Sequence, residues 1–86
     1  MKLVFDKKFL KDVRKIPIKQ QHKLATLLEE VTINPFASKL HTKQLSTPLQ
    51  GLYSFRINRE YRVLFRFLDE ETVFLTHVKH RKDIYR

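Results

Sequence analysis

With 86 residues, 42% of them hydrophobic and 12% aromatic, the chain has the length and apolar content of one small folded domain, residues 1–86, and not of a disordered tail. It contains no cysteine, which excludes disulfides and thiolate metal centres, and no apolar run approaches the roughly 20 residues of a membrane span. Eighteen Lys and Arg against nine Asp and Glu leave a formal net charge of +9, which directs attention to a polyanionic partner, nucleic acid first among them.

The charge is spread along the chain, +6 over residues 1–43 and +3 over residues 44–86, so it belongs to the folded body and not to a basic tail. Met1 to Ile16 is too charged for a signal peptide, and a cytoplasmic location is expected. "KLVF" at 2–5 reads as a short strand. Asp6 is a good N-cap for a helix over 7–16, with Phe5 and Leu10 spaced for a hydrophobic staple across the helix start. Phe9, Leu10, Val13 and Ile16 form its apolar stripe. Pro17 ends it, because the proline ring clashes with a continuing helix.

A second helix is predicted over 18–33, where Leu24, Leu27, Leu28 and Val31 share one face. "NPF" at 34–36 stops it, giving a helical hairpin that needs an apolar surface to cover. Residues 37–48 fit either an irregular strand or a loop. After Pro48 and Gly51 the period changes to two. Tyr53, Phe55 and Ile57 alternate with Ser54, Arg56 and Asn58. Tyr61, Val63, Phe65 and Phe67 alternate with Arg62, Leu64 and Arg66. "DEE" at 69–71 is a turn, and 72–79 is a third strand. Short connections imply an antiparallel three-strand meander, so the fold class is α+β: an N-terminal strand, an α-helical hairpin, then the meander.

Helices on the aromatic face leave Ser54, Arg56, Arg62 and Arg66 facing solvent. Guanidinium forks on a sheet surface suit phosphate. Taken singly, Arg62 could equally form a salt bridge to Glu60 or Glu71. The end of the chain, "HVKHRKDIYR", adds the densest polar chemistry. His77, His80 and Asp83 lie three apart, but strand geometry sends residues three apart to opposite faces, and the cationic surroundings oppose a dication. No metal and no cofactor are expected. His77 reads as a packed residue of the strand. With no glycine loop and no nucleophilic serine motif, the inventory fits RNA cleavage, where the 2′-hydroxyl is the nucleophile and the enzyme supplies a base, an acid and fixed cations. Arg62 and Arg81 suit phosphate and transition-state charge. His80 is a natural proton carrier. Tyr85 could act as a base if Arg81, Lys82 and Arg86 stabilise its phenolate, or could stack on a base. Arg56, Arg66, Lys43, Lys79 and Lys82 are candidate RNA and phosphate contacts.

The segments "FDKKFLKDVRKI", "LLEEVTINPF", "LQGLYSFRINREYRVLFRF" and "HVKHRKDIYR" fall in the order of the RelE/ParE superfamily of type II toxin–antitoxin toxins, which the chain resembles over nearly its whole length. "YRVLF" at 61–65 and "HRKDIY" at 80–85 are the most specific pieces. The RelE-like branch of that resemblance implies a toxin that cuts mRNA, usually at the ribosome, without metal, and so inhibits translation. Arg62, Arg81 and Tyr85 match its strand arginine, C-terminal arginine and C-terminal tyrosine. Arg56 stands where a member has a catalytic lysine, and His80 where others place histidine or lysine. Ser54 replaces a lysine of some members and Lys79 a common glycine, which leaves the proton carriers open between His80, Tyr85, Lys43 and His41. The partners implied are mRNA, the ribosome and a cognate antitoxin with acidic and amphipathic segments. The alternative is the ParE-like branch, a non-nuclease that binds and inhibits DNA gyrase.

Overall fold

A computed structural model describes residues 1–85. Strand β1 (Lys2–Phe5) leads into helix α1 (Lys7–Lys15), whose N-cap Asp6 accepts the backbone N–H of Lys8 at 2.8 Å. Helix α2 (Ile18–Ile33) follows directly, as the apolar spacing predicts. A short 3₁₀ turn (Ser38–Leu40) and strand β2 (Lys43–Gln44) occupy the stretch whose pattern is ambiguous in sequence. Strands β3 (Tyr53–Arg56), β4 (Tyr61–Asp69) and β5 (Thr72–His80) form the expected antiparallel meander, and a second 3₁₀ turn (Arg81–Asp83) follows.

The sheet is larger than that meander. Its order is β1-β5-β4-β3-β2, with β1 parallel to β5 and β2 antiparallel to β3. The helical hairpin is what makes this possible. It is the crossover that returns the chain so that β1 and β5 run the same way.

The inner face of the sheet carries the main core. Phe9 and Ile16 from the first helix and its cap, and Leu24, Leu27 and Val31 from α2, pack on Phe55, Val63, Phe65, Val73, Leu75 and Val78. One residue of the expected apolar stripe of α1, Leu10, lies outside the core. Phe5 stacks on Phe9 at 5.7 Å, while Leu10 is 47% exposed. One residue is about 100° of helical rotation, so with Phe9 facing the sheet Leu10 turns away from it.

The register of β4 and β5 slips beside Leu64. Leu64 pairs with His77 and Phe65 with Leu75, so Thr76 is an extra residue, a β-bulge. The bulge is sewn in place at two points. The Thr76 hydroxyl donates to the Leu64 carbonyl at 3.1 Å, and the Val78 N–H donates to Asp12 Oδ2 of α1 at 3.0 Å. Past the bulge the two faces of β5 exchange, so Val78 enters the core and His77 and Lys79 move to the outer face. His77 is therefore half-buried on the outer side, not a packed core histidine.

The outer face is not the open arginine surface that strict alternation implies. Leu64 and Ser54 do point outward, but both are almost fully buried. A second small core covers this part of the sheet, built from Leu45, Leu64 and Ile84 with Leu49 and Leu52 packed against it. The 45–52 connection folds back over the sheet, and the C-terminal residue Ile84 closes it. An outward leucine between two arginines needs such a cover, because a bare apolar side chain there would face water.

Candidate functional site

Beside that second core lies a row of cations. Arg56 of β3 pairs in register with Arg62 of β4, and Arg62 with Lys79 of β5. Like charges directly opposite one another destabilise a sheet. Three in line across three strands form an arrangement that folding alone does not favour, and that an anion would relieve.

The centre of the row is held firmly. Arg62 Nη1 donates to the carbonyls of Asn58 and Arg59, both at 2.9 Å. Asn58 fixes the same turn, its Oδ1 accepting the N–H groups of Glu60 and Tyr61 at 2.9 and 2.8 Å. Burial, and then the positive charges of Arg56 and Arg81, lower the Arg62 pKa from the ordinary arginine value. Arg81 is thus part of the same field. It is anchored by its own N–H, which donates to the Glu60 carbonyl at 2.7 Å.

Tyr85 is carried to this face by its neighbour. Ile84 is buried against Leu45 and Leu64, and Tyr85 itself is 52% exposed. Its hydroxyl lies 3.4 Å from both the backbone N and the Oγ of Ser46. Those two donors favour the phenolate, and with help from the charge of Lys43 they hold the Tyr85 pKa below its ordinary value. Lys43 pairs with Ser54 in register, and Arg56 lies two residues further along β3, roughly 8 Å away between Cα atoms.

Several sequence candidates therefore converge on one side of the sheet: Arg56, Arg62, Lys79, Arg81, Lys43 and Tyr85. Three do not join in the expected way. Arg66 is four residues from Arg62, about 13 Å along the strand. The buried Leu64 stands between them, and the Arg66 guanidinium sits over the Phe74 ring at 5.2 Å. His80 pairs with Tyr61 on the helix side, their rings 5.7 Å apart edge to face. Its Nδ1 accepts the Lys82 N–H at 3.2 Å, so its proton resides on Nε2, which donates to Glu60 at 2.8 Å. His80 is thus the cap of the Arg81–Asp83 turn. Lys82 is exposed on that turn, tied through its backbone to His80. Arg86, a candidate for stabilising the Tyr85 phenolate, lies outside the described residues.

The alternative reading of Arg62 as a partner of Glu60 or Glu71 is also altered. Glu60 bonds His80 and acts on Arg62 only through its charge, while Glu71 sits in the turn at the far end of the β4–β5 hairpin. Among the described residues no three His, Asp or Glu side chains gather as a metal site. No helix among them is long and apolar enough to cross a membrane.

Sequence reasoning missed Ser46 and Asn58, gave Glu60 to Arg62 instead of His80, and put His77 in the core. One of these was readable. The apolar residues of β5 fall at 73, 75 and then 78, a break in the period of two that signals an inserted residue and sends His77 outward. Asn58 makes a local turn to Glu60 and Tyr61, whereas Ser46 and Glu60 bond residues far along the chain, Tyr85 and His80, for which composition and spacing hold no sign.

The family model for the ParE toxin of type II toxin–antitoxin systems, parDE, matches residues 3–85. The fold superposes on the YoeB/ParE toxin from Agrobacterium tumefaciens with a TM-score of 0.79 at 21% identity, covering 94% of this chain and 99% of that one. The RelB–RelE antitoxin–toxin complex from Methanococcus jannaschii gives a TM-score of 0.75 at 26% identity, over 95% and 94% of the two chains. The toxin–antitoxin complex RelBE2 from Mycobacterium tuberculosis gives 0.68 at 29% identity, over 93% and 96%. By sequence alone the chain matches no curated protein.

Proposed function

The chain belongs to the ParE toxin family of type II toxin–antitoxin systems, and we propose that within it this protein is an endoribonuclease that cuts mRNA, at the ribosome, and thereby stops translation. The observation that carries this reading is the register of Arg56, Arg62 and Lys79 across three strands, with Arg81 and the Tyr85 phenol brought to the same side.

The chemistry follows from those groups. A scissile phosphate seated on Arg56, Arg62 and Arg81 has its developing charge matched by fixed cations. The Tyr85 phenolate, favoured by Ser46 and Lys43, takes the proton from the 2′-hydroxyl. The O2′–phosphorus bond forms and the bond to the 5′-oxygen breaks, leaving a 2′,3′-cyclic phosphate. The departing 5′-oxygen takes its proton from solvent water. His80 serves by position, holding Glu60 and capping the turn that presents Arg81. The cations do the electrostatic work, so no metal is required.

The M. jannaschii and M. tuberculosis relatives are each solved as a toxin with its antitoxin. A toxin of +9 charge calls for an acidic, amphipathic antitoxin that covers the cationic row or lifts the tail from it. That association should slow as salt rises.

A cell-free translation extract gives the test. Added protein should leave mRNA cut within codons, and Arg81→Ala or Tyr85→Phe should lower cutting by at least about 100-fold, the scale of a lost general base or charge stabiliser. Intact mRNA would refute the reading. The family name favours one second reading, the ParE-like one, in which the target is DNA gyrase. Inhibited supercoiling without RNA cleavage would establish it instead.

A further inference from the structure

On the helix side of β3, outside the site described above, a cleft of about 360 Å³ opens between α2, the Ser38–Leu40 turn and the β3–β4 turn. Its floor is apolar, made by the buried Leu27 and Ile57. Its rim is cationic: Lys23 from α2, Lys39 and His41 from the 3₁₀ turn and its cap, and Arg56 and Arg59 from β3 and the turn after it. All five are exposed. No carboxylate lines it, and Glu30 bonds the rim cation Lys39 at 3.1 Å. Asn58 lines it too. Its Oδ1 is already used by the Glu60 and Tyr61 N–H groups, which leaves the amide NH₂ as the group it can offer a ligand.

Arg56 belongs both to this rim and to the cationic row on the outer face. The positive charge therefore runs from Arg81 and Arg62, past Arg56 at the end of β3, to Arg59 and Lys23, with Glu60, bonded to His80, at its edge. A compact anion would fill one end of such a path. A linear polyanion fills all of it.

The geometry points to a second subsite in this cleft that binds the sugar–phosphate backbone of single-stranded RNA outside the scissile phosphate. A phosphate lies against Lys23, Arg59 and the Asn58 amide, and a ribose or base rests on Leu27 and Ile57. The inference rests on the ribonuclease reading and extends it, because neither Lys23 nor Arg59 has a part in the chemistry. Rotatable cations around an apolar floor read no base edge, so the subsite adds affinity and direction without sequence preference.

The test uses the full chain and an eight-nucleotide 2′-O-methyl RNA, which cannot be cleaved because its nucleophile is blocked. Affinity is followed by fluorescence anisotropy over a range of salt. Lys23→Gln and Arg59→Gln should each weaken binding up to about fivefold. Each should also reduce the slope of log K against log salt by about 0.7, the increment for one phosphate left without its cation. Circular dichroism checks that both exposed substitutions leave the fold unchanged. If Arg81→Ala weakens binding and the two cleft variants do not, the cleft subsite is refuted while the RNA reading stands. If the wild type binds no RNA at any salt, both are overturned. If an octaglutamate peptide displaces the RNA at equal concentration and with the same dependence on Lys23 and Arg59, the cleft is an acidic-peptide site and the RNA assignment of it fails.

Discussion

The two faces of the sheet are built from the same alternating strands and come to opposite ends. The inner face gathers nearly all the large apolar side chains beneath two helices. The outer face has a small apolar cluster of Leu45, Leu64 and Ile84 beside the buried Ser54, and next to them a row of like charges. The first arrangement lowers the free energy of the fold. The second raises it locally and keeps a short C-terminal segment in place. The contrast indicates that stability and chemistry have been segregated by face, and each substitution below asks whether they can be separated.

The inner face should dominate stability. Phe65 is fully buried, stacks with Tyr53 at 5.6 Å and lies tilted against Phe55 at 6.0 Å. Phe65→Ala should cost about 3–5 kcal/mol. For so small a chain that is a large share of the total, and urea denaturation should show most of the protein unfolded or close to it. A loss under about 1 kcal/mol would mean that the inner core is not the main source of stability. Ile84→Ala, on the outer face, should cost about 2 kcal/mol, the low end for a buried isoleucine, because its cluster is small. The fold should survive, while RNA cleavage should fall together with the position of Tyr85. Equal stability losses for the two substitutions would erase the distinction between the faces.

Much of the inner face was legible in the sequence. The 3.6 and 2 periods locate both helices and the meander, because inner-face residues are chosen for burial and burial follows period. The outer face was legible by residue type but not by arrangement. Arg56, Arg62, Arg81 and Tyr85 stand out as chemistry, yet nothing in their spacing shows that Leu64 is roofed by residues 45–52 or that Arg66 is cut off behind it. Nor does it show that His80 turns to Glu60. Those facts depend on a loop and a tail closing over the sheet, between residues distant in sequence. The bulge at Thr76 is the intermediate case, visible in the 73-75-78 break only to a reader who counts.

A smaller effect should appear in the pH profile. The Ser46 donors and the Lys43 charge hold the Tyr85 pKa below its ordinary value, so more phenolate exists at a given alkaline pH than in a free tyrosine. With the phenolate as base, the rate should rise with pH and level off below the pH at which an ordinary tyrosine would. Ser46→Ala removes one donor and should move that limb upward, while leaving the plateau rate and thermal stability nearly unchanged. A limb that does not move would remove Tyr85 from the role of base.

The least effect is expected from Lys79→Gln, and it tests the contrast most directly because its two consequences have opposite signs. Lys79 stands opposite Arg62, which already stands opposite Arg56. Neutralising it removes one of two like-charge pairs from the sheet, so stability should rise by about 0.5 kcal/mol, or roughly 2–4 °C in Tm. At the same time an anion on the row has one cation fewer, so RNA binding should weaken and its salt dependence should flatten. An ordinary solvated lysine would give neither change. A stabilised protein that binds RNA less well is the result that requires the row to be kept for its ligand.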